Sequence, residues 1–262
     1  GGGIWAQECD SLMMNIHFDQ NENFNLTRGA GGLYCWDSDV RIFYSLFTGN
    51  TADSGGAAKC KWNDTSVFTK CTFQDNNSNV EGGAFSAINA SPTLDSCIFE
   101  SNTSNTYGGA VSIGGEGTII RNCYFKNNTS QITGGAIRYH EATGLVDQCD
   151  FVGNSTVLGG GGIVVNDSTL VVTGSSFQGN DGGIHGGAIH HTYVSSTDVD
   201  STSFCGNLPT QITGGWNDLG GNTMSSSCVE GCVGDIDANG LVDSMDIISL
   251  IAEFGPCGKT GS

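Results

Sequence analysis

The residues best placed to do chemistry lie in an acidic run near the C-terminus, from Asp235 to Asp246. If Asp235 is position 1, oxygen-bearing side chains stand at positions 1, 3, 5, 9 and 12, and Gly240 stands at position 6. This is the ligand spacing of an EF-hand calcium loop, in which the glycine makes the sharp turn and position 7 offers its backbone carbonyl. The pattern predicts a Ca2+ site formed by Asp235, Asp237, Asn239, Leu241, Asp243 and Asp246.

An apolar helical pattern follows this loop between Ile247 and Phe254, and loop and helix together resemble one half of a type I dockerin. A full dockerin has two such loops and this chain has one, so the resemblance implies calcium binding rather than capture of a cohesin partner. The alternative is an Asx-rich turn that caps a helix at Asp246 without a metal. Cys232 and Cys257 bracket the unit, and we expect a disulfide between them. Closing this loop of the chain should raise the free energy of unfolding by about 3 kcal/mol.

A second concentration of reactive side chains contains Arg138, His140 and Glu141, together with His190 and His191. Polysaccharide lyases need a base that abstracts a proton, and glycosidases need a carboxylate pair at a spacing set by the mechanism. We interpret these residues as part of a solvated outer face and expect no catalytic residues. The weaker alternative is a carbohydrate-active enzyme, a polysaccharide lyase or a glycosidase, that uses Arg138, His140 and His190.

The elements that must position these residues follow from a repeat of about 26 residues. The tetrapeptide Phe-x-x-Asn occurs eight times, at intervals of 29, then 26 five times, then 27 residues. Its phenylalanines are Phe18, Phe47, Phe73, Phe99, Phe125, Phe151, Phe177 and Phe204. Its asparagines are Asn21, Asn50, Asn76, Asn102, Asn128, Asn154, Asn180 and Asn207. A glycine tetrad of the Gly-Gly-Ala-Ile type recurs between the copies, as at residues 134–137.

A repeat of this length marks a stack of identical supersecondary units. Each unit holds short β-rich runs separated by Asn, Ser, Thr and Gly, and is too short for a strand-helix-strand crossover. The sequence therefore predicts an all-β fold, a right-handed parallel β-helix of about eight coils, with the phenylalanines stacked about 4.8 Å apart. The asparagines should form a ladder of left-handed turn residues, and the paired glycines should occupy corners that a Cβ would forbid.

The repeat also sets the domain organisation. We expect a β-helix domain over residues 1-217, a linker or cap over 218-231, and a small calcium-loop and helix cap over 232-262. The chain begins inside a repeat and without Met, so we expect a mature or ordered fragment rather than a primary translation product. No coil carries an insertion long enough to wall a substrate cleft, which argues against an enzyme.

The joint spacing of Gly-Gly-Ala-Ile and Phe-x-x-Asn resembles the passenger repeats of the polymorphic outer-membrane protein family and of related bacterial β-helix adhesins. The resemblance covers residues 1 to about 217. It implies a β-helical passenger domain of the kind found in surface proteins and adhesins.

The cysteines fall into distinct slots of the repeat. Cys71, Cys97, Cys123 and Cys149 occupy one slot in four successive coils, and we interpret them as a column of small buried apolar side chains, the alternative being a metal or redox ladder. Cys35 and Cys60 share another slot in adjacent coils, and the sequence leaves open whether they pair. We expect Cys205 and Cys228 to join the last coil to the segment after it, whereas Cys9 has no clear partner.

Composition indicates the setting in which the chain works. Its 11 cysteines favour a secreted or cell-surface location, and its net charge of −18 argues against nucleic acid and anionic membranes as partners. No apolar run reaches the roughly 18 residues of a membrane span. Candidate glycosylation sites, in a host that glycosylates, are Asn25, Asn63, Asn89, Asn127 and Asn166.

These features predict a non-catalytic structural protein, a secreted β-helical rod that is a subunit of an extracellular fibre, surface layer or adhesin. Unpaired strand edges at the first coil recruit further strands, so we expect head-to-tail self-association, with a cell-surface or matrix polysaccharide as a second candidate partner. A carbohydrate-binding module is a further alternative, in which exposed aromatics such as Trp36, Trp62 and Tyr107 stack on sugars. Those three residues occupy different coils and slots, so the sequence predicts no common platform for them.

Overall fold

The protein is described by a computed structural model that covers residues 2–24 and 29–228. Its strands form four parallel sheets, three of nine strands and one of five, in which neighbouring strands come from successive coils of the chain. The regular structure of the described residues is entirely β-strand. The all-β parallel solenoid of about eight coils is therefore confirmed, and a shorter ninth coil adds a strand to three of the sheets over residues 212–225.

Each coil contributes one strand to each of the first three sheets, and five early coils also contribute to the fourth. The first sheet contains Ile4–Gln7, Leu33–Trp36, Ala58–Lys61, Phe85–Ile88, Val111–Gly114, Ile137–His140, Ile163–Asn166, Ile189–Thr192 and Ile212–Thr213. The second contains Leu12–Met14, Arg41–Phe43, Val67–Thr69, Thr93–Asp95, Thr118–Arg121, Thr143–Asp147, Thr169–Thr173, Ser196–Asp200 and Asn217–Gly220. The third contains His17–Asp19, Leu46–Thr48, Thr72–Gln74, Ile98–Glu100, Tyr124–Lys126, Asp150–Val152, Ser176–Gln178, Ser203–Cys205 and Thr223–Ser225. The fourth contains Glu22–Asn23, Thr51–Ser54, Asn77–Glu81, Thr103–Ser104 and Thr129–Ser130.

The core is a narrow column in which like residues lie over one another. Phe73 is in register with Phe47 in the coil before it and with Phe99 in the coil after it. From Phe18 to Phe204, consecutive rings are 4.4 to 5.1 Å apart between centroids and within 11° of parallel. This spacing is that of hydrogen-bonded neighbouring strands, so the predicted file of aromatic rings is confirmed.

The ladder of asparagines lies buried at the corner after the third sheet. Asn102 shows the pattern: its Nδ2 donates to the Phe73 carbonyl and to Asn128 Oδ1, each at 2.9 Å. Its Oδ1 accepts bonds from the backbone N–H and the Nδ2 of Asn76, each at 3.0 Å. All the hydrogen-bonding positions of the amide are used, so its burial leaves no polar group unpaired.

The residue before each asparagine, and not the asparagine itself, adopts the left-handed backbone conformation. That detail of the prediction is therefore wrong. The residues with positive φ at this corner are Gln20, Gly49, Asp75, Ser101, Asn127, Gly153, Gly179 and Gly206, with φ between 51° and 63°. The preceding residue makes the turn because the asparagine must direct its amide along the stack toward the neighbouring coils.

The glycine pairs occupy corners with no room for a side chain, as the sequence predicts. Gly108 has a φ of +61°, which L residues rarely adopt. A Cβ on Gly109 would lie 2.1 Å from the carbonyl oxygen of Gly135 in the next coil. The coils can therefore stack at strand spacing only if this position lacks a side chain.

The compact unit that holds the four sheets ends at Ser226. Strands Asn217–Gly220 and Thr223–Ser225 belong to the second and third sheets, so the solenoid continues into the segment that the sequence analysis assigned to a linker or cap. Among the described residues there is no helix with the length and apolarity needed to cross a membrane.

Several sequence-based expectations fall outside the described residues. They are the Ca2+ loop with its ligands Asp235, Asp237, Asn239, Leu241, Asp243 and Asp246, the Cys232–Cys257 disulfide, and the sequon at Asn25. These remain predictions.

Candidate functional site

The outer face of the first sheet gathers most of the residues that the sequence singled out. From the second to the seventh coil, the first and third residues of each strand pack into the core, as Leu33 and Cys35 do. Because side chains alternate along a strand, the second and fourth residues face outward. The second-position column contains Trp5, Tyr34, Lys59, Ser86, Ser112, Arg138, Val164 and His190. We call this surface the outer face.

Aromatic side chains cover the outer face in the first three coils. Trp36 and Trp62 have ring centroids 6.1 Å apart, and Tyr34 lies 6.2 Å from Trp36 and 5.6 Å from Trp5. The ammonium of Lys61 lies 5.9 Å from the Trp36 ring and 5.8 Å from the Trp62 ring. The rings form a row that spans three coils, and we call it the aromatic row.

The aromatic row corrects the expectation that Trp36 and Trp62 share no platform. The turn after strand Ala58–Lys61 places Trp62 beside Trp36 of the preceding coil. The spacing of the two residues along the sequence does not reveal this contact. Trp5 is 53% exposed and Trp62 is 43% exposed, so both rings present area to solvent. Trp5 and Trp36 also line a shallow depression with Gln7 and Glu8. Tyr107 does not belong to this row and packs against Arg138 instead.

A charged group occupies the outer face in the middle coils. Arg138 is 9% exposed, with its guanidinium 4.3 Å from the Tyr107 ring and its Nη1 3.5 Å from Glu81 Oε2. The Ser112 hydroxyl donates to the same carboxylate at 3.2 Å. The interpretation of Arg138 as a solvated residue is therefore wrong, because its side chain is buried in an ion pair and an aromatic contact.

Lys59 is also buried and belongs to the same column, two coils before Ser112. Burial lowers the pKa of Lys59 to about 8, and the nearby Glu81 carboxylate opposes that shift. Burial likewise lowers the pKa of Arg138, again opposed by Glu81. Glu81 is thus the ion-pair partner of Arg138, and its charge also acts on the buried Lys59.

The histidines do not assemble with Arg138 into a catalytic group. Arg138 and His190 share a column two coils apart, as the repeat predicts, with Val164 between them. His190 stacks on His185 at 4.5 Å, and burial lowers its pKa to about 4. His140 is partly exposed and lies 3.9 Å from Glu141. His191 faces the interior, where its Nε2 and Thr197 Oγ1 are 2.8 Å apart.

The four-cysteine column is buried and its thiols are free. Cys71, Cys97, Cys123 and Cys149 are each at most 2% exposed. These thiols also lie at hydrogen-bonding distance from carbonyl groups: Cys97 Sγ is 3.4 Å from the carbonyl oxygens of both Phe68 and Asp95, which share its single S–H as acceptors. Ser45 and Ser175 use hydroxyls in the same slot, so the column consists of weak hydrogen-bonding groups as well as small apolar ones.

The remaining cysteines differ in their state. Cys205 and Cys228 are both disulfide-bonded. Cys9, Cys35 and Cys60 are free. Within residues 2–24 and 29–228, one group of three side chains has the spacing of metal ligands, namely Cys35, Cys60 and Asp64.

The sequons differ in exposure. Asn63, Asn89 and Asn127 are exposed and have positive φ, which places them on turns. Asn166 is half-buried, and its Oδ1 is a buried atom with no hydrogen-bond partner among the described residues. Three exposed positions therefore remain candidates for glycosylation.

Comparison with known proteins adds one finding. Residues 122–138 match the Chlamydia polymorphic membrane protein (Chlamydia_PMP) repeat. They contain Phe125 and Asn128 of one Phe-x-x-Asn copy and the glycine tetrad that begins at Gly134. No curated protein and no solved structure is significantly similar to the chain. The chain thus carries a repeat of the polymorphic membrane protein type within a parallel β-solenoid.

Proposed function

We propose that this chain is the β-helical shaft of a secreted or cell-surface protein and that its role is structural rather than catalytic. The observation that supports this role is the continuity of its columns: eight stacked phenylalanine rings and a buried asparagine ladder run through successive coils. Such continuity couples each coil to its neighbours and produces a stiff rod. The polymorphic membrane protein repeat is consistent with a location at a cell surface.

The finer proposal is end-to-end assembly. In the described chain, strands Ile4–Gln7 and Leu12–Met14 each pair on one side only. Apolar side chains are exposed at this end, including Leu12 at 65% and Met14 at 49%. The last described coil also exposes apolar side chains, Leu219 at 60% on the second sheet and Met224 at 49% on the third. A head-to-tail contact between such ends does not close on itself and builds a filament.

We expect the chain to sediment as a distribution of polymers whose mean size grows with protein concentration. The double substitution Leu12→Lys and Met14→Lys places charges on the terminal edge, and should raise the concentration needed for assembly at least tenfold. That factor corresponds to about 1.4 kcal/mol of lost contact free energy. Analytical ultracentrifugation over a concentration series measures it.

The matched control is Val171→Lys, which adds a charge to the second sheet in a middle coil, where Val171 is 37% exposed. Assembly of that variant should equal assembly of the parent chain. A parent chain that stays monomeric at every concentration would contradict end-to-end assembly while leaving the shaft role intact.

Carbohydrate binding is a second candidate function, and the aromatic row favours it. Tryptophan rings stack on the apolar faces of sugars, while neighbouring polar groups such as Gln7 and Glu8 can bond hydroxyls. A row of rings that crosses three successive coils suits a linear polysaccharide. The charged group at Glu81 and Arg138 lies on the same outer face but is occupied by its own contacts.

We expect neutral polysaccharides to bind the chain in affinity electrophoresis, and Trp62→Ala to weaken that binding about 30-fold. Loss of one aromatic anchor residue from a binding site costs about 2 kcal/mol. The control is Tyr44→Ala, because Tyr44 is an exposed ring, at 54% against 43% for Trp62, and has a lysine, Lys70, 5.5 Å from it, but it follows a strand of the second sheet. Equal losses in both variants would contradict a site at the aromatic row.

A further inference from the structure

A buried cluster of two thiols and one carboxylate lies inside the second and third coils, on the opposite side of the first sheet from the aromatic row. Cys35 and Cys60 are directly paired in the first sheet and both face the core. Asp64 lies in the turn that follows the strand of Cys60. All three residues are 0% exposed, and their ligand atoms lie within 4.8 Å of one another.

The carboxylate of Asp64 is only half satisfied. Its Oδ1 accepts the backbone N–H of Ser66 at 2.9 Å. Its Oδ2 is buried and has no hydrogen-bond partner. A buried carboxylate needs a counter-charge or a full set of hydrogen bonds, and a protonated carboxyl would need an acceptor for its O–H. Among residues 2–24 and 29–228, no group lies at hydrogen-bond geometry from this oxygen.

Buried thiolate and carboxylate groups are costly without a counter-charge, and a bound cation stabilises them together. The cluster supplies the donors of a metal site, two buried thiols and a buried carboxylate whose ligand atoms lie within 4.8 Å of one another.

We propose that Cys35, Cys60 and Asp64 bind a thiophilic divalent metal ion of the zinc type. Two sulfur donors and one oxygen donor suit zinc. A zinc–sulfur bond of about 2.3 Å sets tetrahedral ligand separations of about 3.8 Å, so ligand atoms within 4.8 Å need move by no more than about 1 Å. On binding, the ion replaces the two thiol protons, which pass to solvent, and no group is oxidised or reduced.

A water molecule would complete the tetrahedral shell as the fourth ligand. Ala6 precedes Cys35 in its slot and Ala87 follows Cys60, so the neighbouring coils place small side chains there. A Cys35–Cys60 disulfide is the competing arrangement. It would leave Asp64 Oδ2 without a partner, whereas a metal ion satisfies all three side chains.

The experiment uses the full chain, reduced with a non-chelating phosphine and titrated with Co2+ as a spectroscopic substitute for zinc. We expect about one thiolate-bound Co2+ per chain, seen as a sulfur-to-cobalt charge-transfer band, and its displacement by Zn2+. Cys60→Ser should abolish the band, and Asp64→Asn should weaken Co2+ binding about 100-fold, the upper part of the range for altered metal surroundings. A calcium loop with oxygen ligands gives no such band.

The matched control is Cys97→Ser, which removes a buried thiol from the other cysteine column and should leave the band unchanged. X-ray absorption on the zinc-loaded parent chain needs no variant, and should show two sulfur and two oxygen neighbours. An unchanged band in Cys60→Ser, an oxygen-only shell, or a Cys35–Cys60 disulfide in the chain as secreted would each overturn the proposal.

Discussion

Replacing Phe99 by alanine should lower the free energy of unfolding by about 4 to 5 kcal/mol, which is the upper part of the range for phenylalanine truncation in a core. Phe99 is 0% exposed, and its ring lies 4.7 Å from Phe73 and 4.8 Å from Phe125. Truncation removes both stacking contacts, and the two neighbouring rings cannot close the gap because their strands are fixed at hydrogen-bonding distance. Urea denaturation followed by tryptophan fluorescence and circular dichroism measures the effect.

Phe99→Leu is the informative comparison, since it keeps most of the apolar volume and loses the two ring contacts. Each aromatic pair contributes about 0.5 to 1.5 kcal/mol beyond its buried area, so we expect a loss of about 1 to 3 kcal/mol. Phe24→Ala supplies the surface control because its ring is 60% exposed. A Phe99→Ala variant as stable as the Phe24→Ala variant would show that the column does not carry the stability assigned to it.

The repeat predicts the fold because identical spacing forces identical surroundings. Because Phe47, Phe73 and Phe99 are spaced 26 residues apart, parallel pairing of successive coils places them in register. The asparagines three residues after them align for the same reason. It also places Arg138 and His190 in one column without further information. Properties that depend on position within a coil were therefore predictable.

Properties that depend on how one corner folds back over another coil were not predictable. Trp36 and Trp62 occupy different slots, yet the turn after the first sheet brings their rings within 6.1 Å. Arginine is usually a surface residue, but Glu81 and Tyr107 cover the side chain of Arg138. Asp64 stands in an ordinary polar turn sequence and is nevertheless fully buried beside Cys60. In each case the contact depends on the path of a loop, which the length of the repeat does not determine.

The second large effect is expected at Asn102, where alanine should destabilise the protein by about 4 kcal/mol. The substitution removes the acceptor for the backbone N–H of Asn76 and for one N–H of the Asn76 side chain. It also removes the donor to the Phe73 carbonyl. Each buried polar group that loses its partner costs about 1 to 3 kcal/mol, and water cannot replace these bonds because Asn76 and Asn102 are 0% exposed.

The control for this effect is Asn105→Ala, three residues further along, where the side-chain amide donates to Asn79 Oδ1 at 3.4 Å on an exposed surface. Water can satisfy both groups there, so we expect a change within about 0.5 kcal/mol. Because the ladder is continuous, Asn102→Ala combined with Asn128→Ala should cost less than the sum of the two single changes, since the bond between the two amides is lost only once. Strict additivity in that double-mutant cycle would mean that the amides act as separate turn residues rather than as one ladder.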